Sequence, residues 1–334
     1  MSTPTLFIVI PCYNEQEALP ITARRLTALT DDMLSKELID PASRIVLVDD
    51  GSKDGTWQVI SGLHAADNRF EGVKLAHNAG HMNALWAGMT LAADRCDCVI
   101  SIDADLQDDV NAMRGMLEKY LSGADVVYGV RASRETDTWF KRTTAQCFYK
   151  LMGAMGEEVV YNHADYRLLS NRALEALMEY GEGNLYLRGM VPLVGFRSTS
   201  VLYDRKERIA GKSHYPLSKM LALAFDGVTS LSIKPIRFIT MTGLIISFIS
   251  FIGIIWTIVS ALSGHTVPGW ASLACIVCFM GGIQSLFMGV IGEYVAKIYL
   301  ETKSRPRYIL SDRTEEMTEE VPTQEATRPR EVSM

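Results

Sequence analysis

Two apolar patterns alternate along the first two hundred positions of the chain. Short β-branched runs (Leu6–Ile10, Ile45–Val48, Val99–Ile102 and Val126–Tyr128) each end in a polar turn, as buried strands of a parallel sheet do. Between them Met82, Leu85, Trp86 and Met89, and again Val110, Met113, Met116, Leu117 and Tyr120, recur at helical spacing. Strand alternating with helix predicts a doubly wound, Rossmann-like α/β domain over residues 1–214. Such sheets bind ligands beyond the carboxyl ends of their strands. The polar clusters Pro11–Glu15, Asp49–Asp54 and Asp103–Asp108 all stand at such ends, so one crevice is expected to collect them.

The pattern changes near Ile236. Phe238–Leu262 contains no charged residue, and a second apolar run extends from about Trp270 to Ile291. Each is long enough to cross a hydrocarbon layer of roughly 30 Å, which predicts membrane helices over 236–262 and 270–292. Ser263–Gly269 between them has no Lys or Arg. Lys234 and Arg237 precede the pair, and Lys297, Lys303, Arg305 and Arg307 follow it. By the positive-inside rule both ends are cytoplasmic, as in a multi-pass protein of the cytoplasmic (inner) membrane. In 215–235 the helical pattern of Leu217, Met220, Leu221, Ala224 and Val228 suits either an interfacial helix or a packed domain helix. The segment 293–334 is expected to be a cytoplasmic tail that loses order after about Ser311, where it becomes rich in Glu, Thr and Pro.

Charge and cysteine content narrow the field. A net charge of −6 lacks the basic footprint of a nucleic-acid binder. The six cysteines form no zinc-like pair of pairs, which fits a reducing compartment. Met1–Thr5 carries no basic region, and the apolar stretch behind it stops at Pro11, so no secretory leader is expected and the first domain stays in the cytoplasm.

Chemistry concentrates in the turns. Asp103-Ala-Asp105 places two carboxylates where they can converge on one hard cation, with Gln107 nearby as a further oxygen ligand; turn formation and helix capping by Asp108 or Asp109 is the other use of such residues. Asp49-Asp50-Gly51-Ser52 can accept hydrogen bonds from a base or ribose, or be a turn for conformational reasons alone. Pro11-Cys-Tyr13-Asn14-Glu15 sets an aromatic ring at the same edge. Asn78-Ala-Gly-His81 offers an N-cap and an anion-friendly helix start, with His81 left unassigned.

Taken in order, P-C-Y-N-E, V-D-D-G-S-K-D-G-T, H-N-A-G-H-M-N-A and D-A-D-L-Q-D resemble family 2 glycosyltransferases of the GT-A fold over about Leu6–Leu310. Gly129-Val-Arg131-Ala-Ser-Arg134, Ala164-Asp165-Tyr-Arg-Leu-Leu169, Arg208-Ile-Ala-Gly-Lys-Ser213-His214-Tyr215 and Gly292-Glu-Tyr294, with the two apolar runs, narrow the resemblance to polyprenyl-phosphate glycosyltransferases. That group includes bactoprenol glucosyltransferases and dolichyl-phosphate mannose synthases.

The resemblance implies a metal-dependent hexosyltransferase. Asp103, Asp105 and Gln107 would hold Mg²⁺ or Mn²⁺. Pro11, Tyr13, Asn14, Glu15, Asp49, Asp50, Ser52 and Asp103 would bind the nucleotide-sugar. Arg131, Arg134, Arg142, Arg208, Ser213 and His214 would bind the acceptor phosphate. Asp105, Asp165, Arg131 and Arg142 would serve catalysis, with Asp165 either a base or an orienter of Arg167 or the sugar. Many members have S-K-Y where this chain has Ser213-His214-Tyr215. UDP-glucose is the default donor and undecaprenyl phosphate the acceptor, with GDP-mannose and UDP-N-acetylglucosamine as alternatives. A homotetramer is implied by relatives. A non-catalytic membrane scaffold is the reading from another class; no G-x-G-x-x-G follows the first strand, which disfavours a dehydrogenase.

Overall fold

The computed structural model describes residues 3–132, 163–182, 185–204, 234–263 and 269–314. Arg134, Arg142, Arg208, Ser213 and His214, and the interfacial segment up to residue 233, lie outside the described residues.

Eight strands form one mixed sheet: β1 (Leu6–Cys12), β2 (Arg44–Asp49), β3 (Phe70–Leu75), β4 (Cys98–Ser101), β5 (Val126–Arg131), β6 (His163–Ser170), β7 (Ser198–Tyr203) and β8 (Leu310–Arg313), in the spatial order β7-β5-β6-β4-β1-β2-β3-β8. The centre is parallel, as the buried β-branched runs predict: β4, β1, β2 and β3 pair in one direction. The expected doubly wound α/β sheet is here a mixed one: β6 runs against both β4 and β5, and β8 runs against β3.

Alternate residues of β1 feed two cores. Leu6, Ile8 and Ile10 pack with Leu19, Leu26 and Met33 of helix α1 (Leu19–Ser35) and with Met113, Met116 and Leu117 of α4 (Ala112–Leu121). Phe7 and Val9 face the opposite side, against Leu85, Trp86 and Met89 of α3 (His81–Ala92) and Leu174 and Leu177 of α5 (Asn171–Met178). This is the period-2 rule of a strand buried on both faces, each such side chain contributing about 1.5–3 kcal/mol. Helix α3 lies close on the sheet because Gly88 faces Val9: a Cβ there would stand 2.3 Å from a Val9 methyl. Helix α2 (Thr56–Ala66) links β2 to β3, and the short α6 (Leu187–Leu193) precedes β7.

Two long helices follow, α7 (Lys234–Leu262) and α8 (Trp270–Thr302). Among the described residues one apolar segment is long enough to cross a membrane, Phe279–Thr302 in α8, and Ile239–Gly253 in α7 is a shorter apolar stretch. Helix α8 contains the whole of the expected 270–292 run and continues to Thr302. Pairing runs through Arg313, with Thr314 buried, because β8 adds to the free edge of β3; the rest of the tail lies outside the described residues.

Candidate active site

The turns after β1, β2 and β4 meet in one open cleft of about 270 Å³, as the sequence pattern predicts. Its walls include Pro11, Tyr13 and Glu15 from the first turn, Asp50 from the second, Asn78, Gly80 and His81 before α3, and Asp103 and Asp105 after β4. Tyr13 is 43% exposed at the rim, placed where a flat ligand could stack.

Asp49, Asn14 and Ser52 are not on the cleft wall; they build the turn behind it. Asp49 is fully buried and accepts the Ser52 N–H at 2.9 Å, while the Ser52 hydroxyl accepts the Asn14 N–H at 2.9 Å. Asn14 sits at φ +55 and its side-chain oxygen accepts the Lys53 N–H at 2.8 Å. An Asn tolerates this left-handed backbone better than other non-glycine residues. Asp50 accepts the N–H groups of Ala79 (2.6 Å) and Gly80 (3.0 Å), so one carboxylate pins the loop of the next βα unit. Burial raises its pKa, and these two N–H groups oppose the rise.

Within Asn78–His81 the N-cap of α3 is Gly80, at φ +92, with no side-chain cap bond. His81, left unassigned from sequence, opens α3 inside the cleft with Nε2 3.5 Å from Asp103 Oδ1.

Asp103 and Asp105 leave β4 on a turn built around Leu106, which takes φ +53 while its side chain is buried. Thr22 Oγ1 donates to Ala104 O at 2.7 Å and the Gln107 N–H donates to Asp105 Oδ1 at 3.1 Å, which fixes the turn. Gln107 is not among the cleft-lining residues. The Asp103 side chain is 40% exposed toward the cleft mouth, yet its carboxyl is hemmed in. Burial first, then the charges of Asp165, Asp108 and Asp105, push it up to about 6 against the opposing pull of His81.

Neither of the two capping candidates, Asp108 and Asp109, is the N-cap of α4, which is Asn111 with no side-chain cap bond. Asp108 is buried and accepts the Tyr203 hydroxyl at 2.6 Å, with Arg131 Nη2 3.7 Å away. Asp109 instead accepts from Asn111 at the start of α4 (Nδ2 at 3.1 Å). Thus Arg131 is joined to the carboxylate turn through Asp108, set beside the cleft instead of lining it.

Because β6 runs against β4, its first residues lie where β1, β2 and β4 end. That brings Asp165 to the site, where the Ser101 hydroxyl donates to its carbonyl at 2.5 Å. The Asp165 carboxylate receives Arg167 Nη2 at 2.5 Å, Arg188 Nε at 3.1 Å and Arg188 Nη2 at 2.8 Å. Burial raises its pKa, but the two guanidiniums outweigh it and hold the group well below the usual carboxylate range. A carboxylate so stabilised accepts a proton poorly. Of the two roles weighed from sequence, this geometry fits orientation of arginines. Arg188 and Tyr203 carried no sequence signal, since each acquires its role only through a contact distant along the chain.

Chemically, the cleft offers the carboxylates of Asp103 and Asp105 on one wall and the Tyr13 ring, Glu15 and the backbone-pinned Asp50 on the other. Among the described residues no group of three His, Cys, Asp or Glu side chains surrounds one point. An all-oxygen pair of this kind suits a hard cation that takes its other ligands from a bound diphosphate. Burial sets most of the raised Asp103 pKa, and the part added by neighbouring carboxylates is what a cation would relieve.

An α/β sheet whose acidic strand-end turns frame one open cleft is the architecture of GT-A glycosyltransferases. The chain belongs to glycosyl transferase family 2, whose sequence model matches residues 7–178. It is 52% identical over 309 residues to the uncharacterized glycosyltransferase YkoT of Bacillus subtilis (strain 168), covering 92% of either chain. It is 38% identical over 308 residues to the bactoprenol glucosyl transferase of Shigella phage SfX, covering 92% of this chain and 98% of that one. Among solved structures, glucosyl-3-phosphoglycerate synthase from Mycobacterium tuberculosis overlays 68% of this chain and 79% of its own at 18% identity and a TM-score of 0.46.

Proposed function

We propose that this glycosyltransferase moves a single hexose from a nucleotide-sugar, UDP-glucose by default, to polyprenyl phosphate, undecaprenyl phosphate in particular, with inversion at the anomeric carbon. The observation that carries the reading is the cleft in which Asp103 and Asp105 face Asp50, Glu15 and Tyr13. The likeness to a bactoprenol glucosyl transferase along nearly the whole chain supports the lipid acceptor.

Two turns, Pro11–Glu15 and Asp49–Ser52, form the nucleoside side of the cleft. Asp103 and Asp105 would hold Mg²⁺ or Mn²⁺, which when bound neutralises the leaving diphosphate. The acceptor's phosphate monoester has a second pKa near 6, so it arrives as an anionic nucleophile and needs no strong base. The low pKa of Asp165 agrees with that: its work is to hold Arg167 and Arg188 in place. Arg131, fixed by Asp108 and Tyr203, brings positive charge to the edge where the acceptor phosphate would enter, and Arg134, Arg142, Arg208, Ser213 and His214 are proposed to complete that site.

Helices α7 and α8 are proposed to cross the inner membrane as a hairpin, with the catalytic domain and the C-terminus in the cytoplasm. A polyprenyl tail stays in the bilayer, so an anchored enzyme meets its acceptor in two dimensions.

The test is transfer of radiolabelled sugar from a panel of nucleotide-sugars into organic-extractable lipid, using membranes that carry the wild type or Asp105→Ala, with and without EDTA. Label from one donor that is lost with chelator and with the substitution is expected. No label from any donor, with folded protein and added undecaprenyl phosphate, would replace the reading with a non-catalytic scaffold.

A further inference from the structure

Between the end of α8 at Thr302 and Arg307 the chain has only Lys303–Pro306, a reach of at most about 18 Å. At Arg307 it re-enters the catalytic domain. The Arg307 guanidinium lies 4.7 Å from the centroid of the Trp86 ring on α3, and its Nη2 donates to the carbonyls of Tyr180 (3.0 Å) and Glu182 (2.7 Å) beyond α5. Tyr308 packs on the same apolar cluster and its hydroxyl pairs with Thr90, one turn further along α3. Ile309 O then accepts the Ala76 N–H at 2.8 Å, β8 runs along β3, and Thr314 closes the run with two bonds to Gly72.

These contacts bracket one loop. Strand β3 ends at Leu75 and α3 begins at His81; between them Ala79 and Gly80 bind Asp50, while Asn78, Gly80 and His81 face the cleft. The segment that leaves the apolar helix thus grips both flanks of a cleft-forming loop, through a link too short to let helix and cleft move far apart.

We propose that residues 303–314 form a positioning strap that sets the cleft at a fixed height over a lipid surface, with Arg307 as its anchor. Arg307 is then a positioning residue, acting through α3 and the turn after α5. The proposal rests on the lipid acceptor argued above. Cover for the edge of β3 is a function the strap serves at any linker length; a height-setting role depends on the length of Lys303–Pro306.

The experiment inserts ten Gly/Ser residues between Ser304 and Arg305 of the full-length protein in vesicles, leaving every strap contact intact. Melting temperature and nucleotide-sugar affinity are expected to stay at wild-type values. Because a flexible insert dilutes the effective concentration of the cleft at the surface, kcat/KM for vesicle-embedded polyprenyl phosphate is expected to fall about three- to tenfold. Transfer to a short, water-soluble prenyl phosphate is expected to be unchanged. Arg307→Ala should show the same selective loss. Equal loss on both acceptors, or no loss on either, overturns the proposal. If the wild type labels neither acceptor, the lipid-acceptor reading fails by itself, and the strap is judged by distance. Energy transfer from a dye at exposed position 17 to a lipid-borne dye should drop in the lengthened protein, and an unchanged signal overturns it.

Discussion

Arg188 lays its guanidinium along the carboxylate of Asp165, Nε 3.1 Å from one oxygen and Nη2 2.8 Å from the other, while the buried Arg167 approaches the first oxygen at 2.5 Å. One carboxylate therefore pairs with two cations, of which Arg167 is almost wholly out of water. Asp165→Asn leaves both charges without their partner. Breaking a buried pair costs about 3–5 kcal/mol, so this variant should lose about that much in urea unfolding. A residue acting only as a proton acceptor would cost activity and leave stability near wild type. The pKa of Asp165 is depressed, so its contribution is full at neutral pH and is lost as pH falls below the ordinary carboxylate range of about 4.

Asp103 is shifted in the other direction. Its pKa is pushed up to about 6, chiefly by burial, so the folded state binds a proton more readily than the unfolded chain. The stability it contributes is present below about pH 4 and is lost as pH rises through about 6. A divalent cation competes with that proton. Added Mg²⁺ or Mn²⁺ is therefore expected to raise the melting temperature more at pH 7.5 than at pH 5.5, and Asp103→Asn should abolish the difference. An equal rise at both values, or one that survives the substitution, would show that the ion binds elsewhere.

The four strands read from the sequence are those whose side chains are almost wholly apolar and buried on both faces. The missed strands hide behind polar residues for identifiable reasons. Strand β3 carries Glu71, fully buried because Arg95 takes both its oxygens at 2.8 and 2.6 Å. Strand β6 carries Arg167 against Asp165, and β7 and β8 are polar edge strands with one neighbour each. The site follows the same logic. Asp50, Asp103 and Asp105 were legible because acidic turns follow apolar runs, whereas Arg188 and Tyr203 are brought in by the antiparallel β6 and the edge strand β7, which no local pattern announces.

Tyr203 supplies a prediction of its own. Its hydroxyl donates to Asp108 Oδ1 at 2.6 Å in a buried setting, and its ring meets Tyr166 edge-on at 5.3 Å. Tyr203→Phe keeps the ring contact and removes the hydroxyl's bonds to Asp108 and Arg131, of which the bond to the charged acceptor costs about 1.5–3 kcal/mol. Urea unfolding should report that loss. Since Asp108 shares a turn with Asp105, nucleotide-sugar affinity should fall as well. A variant with wild-type stability would mean that Arg131 alone satisfies Asp108.

Gly51 is the point at which backbone geometry and ligand site meet most tightly. It sits at φ +63, and a Cβ there would lie 2.5 Å from the His77 carbonyl carbon and 2.6 Å from the Asn78 nitrogen. Both are backbone atoms, so no side chain can swing aside; the loop itself must move. Gly51→Ala therefore combines a left-handed penalty of about 1–2 kcal/mol with displacement of the Asn78–His81 segment from the cleft. Stability should drop by about 2 kcal/mol or more, and nucleotide-sugar affinity should fall in parallel, because Ala79 and Gly80 lose their register with Asp50. Gly62 is the matched control: it lies within α2, and a Cβ there meets nothing within 4 Å. Gly62→Ala should stabilise the protein by about 0.5–1 kcal/mol through helix propensity and leave binding unchanged. Opposite signs from the same chemical change, read by calorimetry and by donor titration, would place the Gly51 effect in the packing of two turns; a Gly51→Ala protein that binds donor normally would show that the loop after β3 is not what shapes the cleft.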